Sequence, residues 1–110
     1  MNKAPRPILV FGATGRQGGS VAKALLEAHW PVRAFVQSLS KPASIALREA
    51  GAELVQGSLD DANLIASAMK DVYGVFSVMP ANLSAEEEVC YGTRLADLAA
   101  KNGVEHFIYS

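Results

Sequence analysis

One cysteine, Cys90, stands among 110 residues, so no disulfide can close within the chain. There are two histidines and no Cys/His cluster to suggest a metal site, and both features fit a reducing compartment. Charge of one sign is also missing. Ten basic residues stand against 11 acidic ones, with no basic patch or charge run, which argues against direct nucleic-acid or polyanion binding. No apolar run approaches the length needed to cross a membrane. The opening Met1-Asn2-Lys3-Ala4-Pro5-Arg6-Pro7 is polar and proline-punctuated, without the apolar heart of a signal peptide. The expectation is a soluble cytoplasmic protein, with the nucleus as the other compartment open to it. Residues 1–7 are expected to form a flexible tail and residues 8–110 one domain.

What the chain does have is a strand running into glycines. Ile8-Leu9-Val10-Phe11 leads directly to Gly12-Ala13-Thr14-Gly15-Arg16-Gln17-Gly18-Gly19, and a helical pattern follows. A buried parallel strand enters a dinucleotide-binding turn in this way. Gly12 allows the sharp turn, Gly15 leaves room for a pyrophosphate, and Gly18 lets the helix pack close to the strand. The helix N-terminus then presents unpaired N–H groups and partial positive charge to the phosphates. The spacing is Gly-x-x-Gly-x-x-Gly rather than the Gly-x-Gly-x-x-Gly of the commonest dehydrogenases.

Strand candidates recur at Ile8–Phe11, Val32–Val36, Glu53–Gln56, 75–78 and 107–109. Helical patterns lie between them. The first spans about 16–28, with Val21, Leu25 and Ala28 on one face. The second spans 42–50 and is closed by Gly51, a left-handed cap. The third spans 61–69, with Asp60 as its N-cap and Leu64, Ile65, Ala68 and Met69 inward. The fourth spans 85–102, opened by a Ser84/Glu87 capping box and ended by Gly103, with Val89, Leu95, Ala96 and Ala99 toward the sheet. Strict alternation with short links predicts an α/β, Rossmann-type doubly wound parallel sheet. Right-handed crossovers give the strand order 3-2-1-4-5. The chain reaches Ser110 on or just past a fifth strand, so the fold is expected to be truncated there.

With these elements placed, the chain resembles the NmrA-like proteins, an atypical branch of the short-chain dehydrogenase/reductase superfamily. The residues that carry the resemblance are Val10 to Gly19, Val32-Arg33-Ala34-Phe35-Val36, Gly51 to Asp61, and Phe107-Ile108-Tyr109-Ser110. Members are usually more than twice as long. The resemblance implies NADP(H) binding. It also implies either a sensor that reads NADPH/NADP status and acts through regulatory protein partners, or an atypical reductase of a small carbonyl or quinone acceptor. A truncated product that binds little is the third reading. The superfamily's Tyr-x-x-x-Lys pair is absent: Ser77 follows Tyr73 at that spacing, and Leu95 follows Tyr91. No catalytic residue is assigned.

Beside the resemblance, individual positions carry their own expectations. Gln37 stands just past the second strand, where Asp or Glu would hold the ribose hydroxyls of NAD. The missing carboxylate favours NADP(H) over NAD(H). NmrA-like proteins often carry Arg there, and Gln lacks its fork and charge. Arg16 and Lys41 could supply charge to the 2′-phosphate, with Ser38 and Ser40 as hydroxyl donors; alternatively Lys41 and the serines only cap and face water. Thr14 either bonds a phosphate oxygen or caps the helix. Gln17 either meets the diphosphate and nicotinamide-side ribose or faces solvent. Ser58 and Leu59 would flank the adenine, where relatives often have an acid at the Ser58 position. Met79 heads Met79-Pro80-Ala81-Asn82, a loop either near the nicotinamide ribose or a plain connector. Ser110 is read as a strand-end serine, Cys90 as small and half-buried, and His29, Trp30 and His106 as lying away from the site. The open edge of the fifth strand is expected to support self-association.

Overall fold

The computed structural model describes residues 6–79 and 83–109. The expectations placed on residues 1–5, Pro80, Ala81, Asn82 and Ser110 lie outside the described residues. Among the described residues nine elements alternate strand and helix: β1 Ile8–Phe11, α1 Arg16–Glu27, β2 Val32–Val36, α2 Pro42–Glu49, β3 Glu53–Gln56, α3 Ala62–Ala68, β4 Gly74–Ser77, α4 Ala85–Lys101 and β5 His106–Tyr109. The sheet has the expected order β3-β2-β1-β4-β5, parallel throughout.

β1 is the central strand. Leu9, Val10 and Phe11 are buried on both faces, which is why the strand is a continuous apolar run rather than an alternating one. Each face has its own core. α3 and α4 cover Leu9, Phe11, Phe35 and Val75 with Ile65, Met69, Leu95 and Ala99. On the other face α1 and α2 cover Val10, Ala34 and Val36 with Ala22 and Leu47. Arg33 ties one end of the sheet to α3. It donates to Glu53 at 2.9 Å and to the carbonyl oxygens of Ala68 and Lys70 at 2.7 and 3.2 Å.

Helix ends account for several departures from the sequence reading. α3 is capped by Asp61, whose side chain accepts from the Leu64 N–H, and not by Asp60. The Ser84/Glu87 capping box is present at α4. α2 and α4 end in Schellman turns through Gly51 and Gly103, both at positive φ. α1 ends in the same way through His29, at φ 69° without being glycine.

α4 does not turn the expected face inward. Leu95 and Ala99 are buried, but Val89 is 68% exposed, Ala96 is exposed, and every described residue of 85–90 faces solvent. Cys90 is therefore exposed, not half-buried. In α1 the buried stripe is Gly18 and Ala22, and Ala28 is exposed. β4 begins one residue earlier than the apolar run suggests, because Gly74 pairs in register with Ile8. β5 also begins one residue earlier, at His106. β5 is apolar yet covered on one face only: Phe107 packs against the α3/α4 core, while Ile108 is 56% exposed. No helix among the described residues is long and apolar enough to cross a membrane.

Candidate functional site

The carboxyl ends of β1 to β4 open into a single cleft of about 570 Å³. Four loops line it. The turn after β1 contributes Gly12, Thr14, Gly15, Arg16 and Gln17; the end of β2 contributes Gln37, Ser38 and Lys41. Ser58, Leu59 and Asp60 come from the loop after β3, and Val78, Met79 and Leu83 from the β4 side. Of the residues given a cofactor contact from sequence, Gly18 and Ser40 do not line the cleft. Gly18 is the one whose place explains why. It sits behind the turn, where a Cβ would overlap the Gly12 carbonyl, so its task is close packing of α1 on β1. Sequence reasoning missed Phe11, Phe35, Val36, Ser44, Gly57, Val78, Leu83 and Tyr91, and it gave Asp60 to helix capping.

The first turn is built for close approach. Gly12 has φ +74°, and a Cβ there would overlap the Val78 carbonyl oxygen. Gly15 donates its N–H to the Gly12 carbonyl at 3.0 Å and is the N-cap of α1. Thr14 is thus not the cap. Among the described residues no side chain caps α1, and no acidic residue occupies its first turn, whereas α4 has three there, Glu86, Glu87 and Glu88. The positive end of α1 is left for something other than its own side chains to neutralise.

At the end of β2, Ser44 is fully buried, and its hydroxyl donates to the Ser38 carbonyl at 2.6 Å, pinning the loop. Ser38 and Ser40 bond to each other through their hydroxyls at 3.1 Å. Gln56 donates to the Gln37 carbonyl at 3.3 Å. Lys41 is the N-cap residue of α2, and its ammonium, a donor only, cannot accept from the helix N–H groups, so α2 begins without a side-chain cap bond.

The loop after β3 is braced from α4. The Tyr91 hydroxyl donates to Asp60 Oδ1 at 3.0 Å. Arg94 donates to the Leu59 carbonyl at 2.9 Å, and its Nη1 lies 3.7 Å from the same Asp60 oxygen. Ser58 donates to Asp60 Oδ2 at 3.4 Å and accepts from the Asp60 N–H at 3.1 Å. The Tyr91 phenol is held above its ordinary value first by the hydrogen bond to Asp60, then by burial and by the charges of Asp60 and Glu87. Tyr91 could not be located from sequence, because its position depends on which face α4 turns inward.

Residues 5–110 match the NmrA-like family. The chain belongs to the NmrA-like family. An NmrA-like family domain-containing oxidoreductase of Aspergillus hancockii is 34% identical over all of this chain and 35% of its own length. A (4-alkanoyl-5-oxo-2,5-dihydrofuran-3-yl)methyl phosphate reductase of Streptomyces griseus is 36% identical over 92% of this chain and 33% of its own length. Among solved structures, NmrA, a negative transcriptional regulator, superposes with a TM-score of 0.85 at 29% identity in its complexes with NAD and with NADP. That likeness covers 97% of this chain and 33% of NmrA. The chain thus spans about a third of the length of the NmrA-like relatives it matches.

Proposed function

We propose that the cleft binds a nicotinamide dinucleotide, NADP(H) in preference to NAD(H), and that the chain is the cofactor-binding module of an NmrA-like redox-state sensor acting through protein partners. One observation carries this. An uncapped, acid-free helix N-terminus, a β2 end without a carboxylate and the loop after β3 converge on one cleft. These residues suit the group. Gly15 and the first turn of α1 would receive the pyrophosphate, with Arg16 adding charge. Thr14 and Gln17 would flank it. Gln37, Ser38 and Lys41 would meet the adenosine ribose and its 2′-phosphate. Ser58 and Leu59 would border the base, and Met79 the nicotinamide side. When bound, the cofactor supplies hydride chemistry; the residues described here bind and orient it.

The sensing role draws on the likeness to NmrA, a negative transcriptional regulator. A second reading, the cofactor domain of a reductase of a small carbonyl or quinone acceptor, is favoured by relatives named as oxidoreductases. A cytoplasmic location is proposed on composition. Self-association through the edge of β5 is proposed on the strand's exposed apolar face.

Titration with NADPH and with NADH tests the binding. Saturable binding of both, tighter for NADPH, is expected; no saturable binding of either overturns the reading. An acceptor screen with NADPH then separates enzyme from sensor, because turnover of any acceptor sinks the purely sensory role.

A further inference from the structure

We propose that Asn102 is a site of spontaneous deamidation, and that the acid it leaves loosens the turn that sets β5 beside β4. Asn102 is the C-cap of α4 and Gly103 follows it into the link to β5, with both residues exposed. Asparagine is among the thermolabile side chains. Gly103 carries no side chain to hinder attack by its own amide nitrogen, and a Cβ built there would meet nothing within 4 Å. Asn63, in α3, is followed instead by Leu64, whose branched side chain crowds the same approach.

The reaction needs only water as co-reactant. The Gly103 amide nitrogen attacks Asn102 Cγ and closes a succinimide ring. The Cγ–Nδ2 bond breaks, and the proton lost by the attacking nitrogen leaves with the amide as ammonia. Water then opens the ring at either carbonyl. One opening gives an aspartate at position 102. The other gives an isoaspartyl link, in which the main chain runs through Cβ and Cγ and is longer by a methylene. In the native turn both reacting groups are engaged. Asn102 Nδ2 donates to the Leu98 carbonyl at 2.7 Å, and the Gly103 N–H donates to the Ala100 carbonyl at 3.3 Å. Conversion therefore proceeds from a locally opened turn, and an exposed turn opens without global unfolding. The strand it leads into is the sheet edge, paired with β4 alone among the described residues.

The products cannot hold the turn as the amide does. A carboxylate only accepts, so the bond to the Leu98 carbonyl is lost. Its negative charge also sits at the unfavourable end of the helix dipole. The isoaspartyl link does more. The Gly103 and Val104 N–H groups close the Schellman turn onto the Ala100 and Ala99 carbonyls at 3.3 and 2.9 Å, and Val104 packs against the α3/α4 core. That turn delivers His106 opposite Gly74, and a lengthened backbone cannot keep both the cap and the register.

The experiment has two arms. The protein is aged in mildly alkaline native buffer and cut with a glutamate-specific protease, and its asparagines are followed by mass spectrometry. Asn102 is expected to convert several-fold faster than Asn63. In the second arm Asn102→Asp, which carries one product permanently, is compared with the wild type by hydrogen exchange. Exchange is expected to quicken at residues 104–109 and to stay unchanged in β1. The thermal midpoint should fall by roughly 4 °C, the weight of one hydrogen bond in a chain of this size. Conversion of Asn102 no faster than that of Asn63 overturns the site. Exchange in Asn102→Asp that matches the wild type at residues 104–109, or that rises equally in β1, overturns the effect on the turn.

Discussion

At Gly15 a Cβ would reach nothing nearer than the Gly12 carbonyl oxygen at 3.4 Å, an ordinary contact. At Gly12 it would overlap the Val78 carbonyl, and at Gly18 the Gly12 carbonyl. One motif therefore divides its labour: Gly12 and Gly18 serve the fold, and Gly15 keeps the cleft open. Gly15→Val should fold normally and bind NADPH more weakly, on the order of tenfold or about 1.4 kcal/mol. Circular dichroism and a fluorescence titration check the two halves, and undiminished affinity in the folded variant would remove Gly15 from the phosphate site. Gln37→Arg makes the complementary prediction. A charged fork bonds phosphate more strongly than a neutral amide. NADPH affinity should rise about fivefold with little change for NADH, the gain being limited to one partly solvated bond. Equal gains for both cofactors would place Gln37 away from the 2′ position. At this scale the sequence exposed what lies on strand ends and turns, because position along an alternating α/β chain dictates the edge of the sheet. It did not expose Tyr91, which reaches the cleft from a helix whose orientation is set by packing. Nor could it decide between adjacent Asp60 and Asp61, since either spacing makes a plausible cap.

The helices show where pattern gives way to context. Gly51 was legible as a left-handed cap and Gly103 as a helix end, and both take positive φ because glycine adopts that conformation without steric cost. His29 does the same work at φ 69°, and nothing in its side chain announces it. The Trp30 and His29 N–H groups close the Schellman turn onto the Leu25 and Leu26 carbonyls at 2.9 and 3.0 Å, holding His29 in that conformation. Trp30 then packs against the Tyr73 ring at 5.1 Å. A left-handed non-glycine residue costs about 1 kcal/mol. His29→Gly should therefore stabilise the chain by about that amount and raise the thermal midpoint by roughly 4 °C. A lower midpoint would mean that the imidazole makes a contribution its exposure does not suggest. α4 is the opposite case. Its capping box was readable from Ser84 and Glu87, but its inward face was not. Val89 and Leu95 are six residues apart, about 120° around the helix, so the two do not share a face, and it is Leu95 with Ala99, one turn on, that is buried. The first turns of α4 contribute to the structure through polar contacts, including the Tyr109 hydroxyl bonded to Glu88 at 3.2 Å.

For the whole molecule, the two faces of the sheet are unequally covered. α3 and α4 close one face from β3 to β5, whereas α1 and α2 on the other leave the β4–β5 side open. There an apolar groove of about 260 Å³ runs between α1 and β5, with Val21 and Leu25 on one side, Phe76 and Ile108 on the other, and Tyr73 at its end. Tyr73 is stacked on His106 at 4.7 Å, so that end of the groove is aromatic. β5 is hydrogen-bonded to β4 alone among the described residues, and its outer edge carries unpaired backbone groups beside Ile108 and Tyr109. An edge strand with an exposed apolar face is a template for another chain. The 110-residue chain should therefore self-associate in a concentration-dependent way, measurable by sedimentation velocity. Ile108→Lys should shift it toward monomer, because a charge there opposes both burial of the groove and edge pairing. Since Ile108 is already half-exposed, the variant should keep the fold, and a dinucleotide titration reports whether the distant cleft survives. A wild-type chain that stays monomeric at every concentration would show that the groove and edge do not recruit a second copy. A variant that associates as strongly as the wild type would move the contact to another surface.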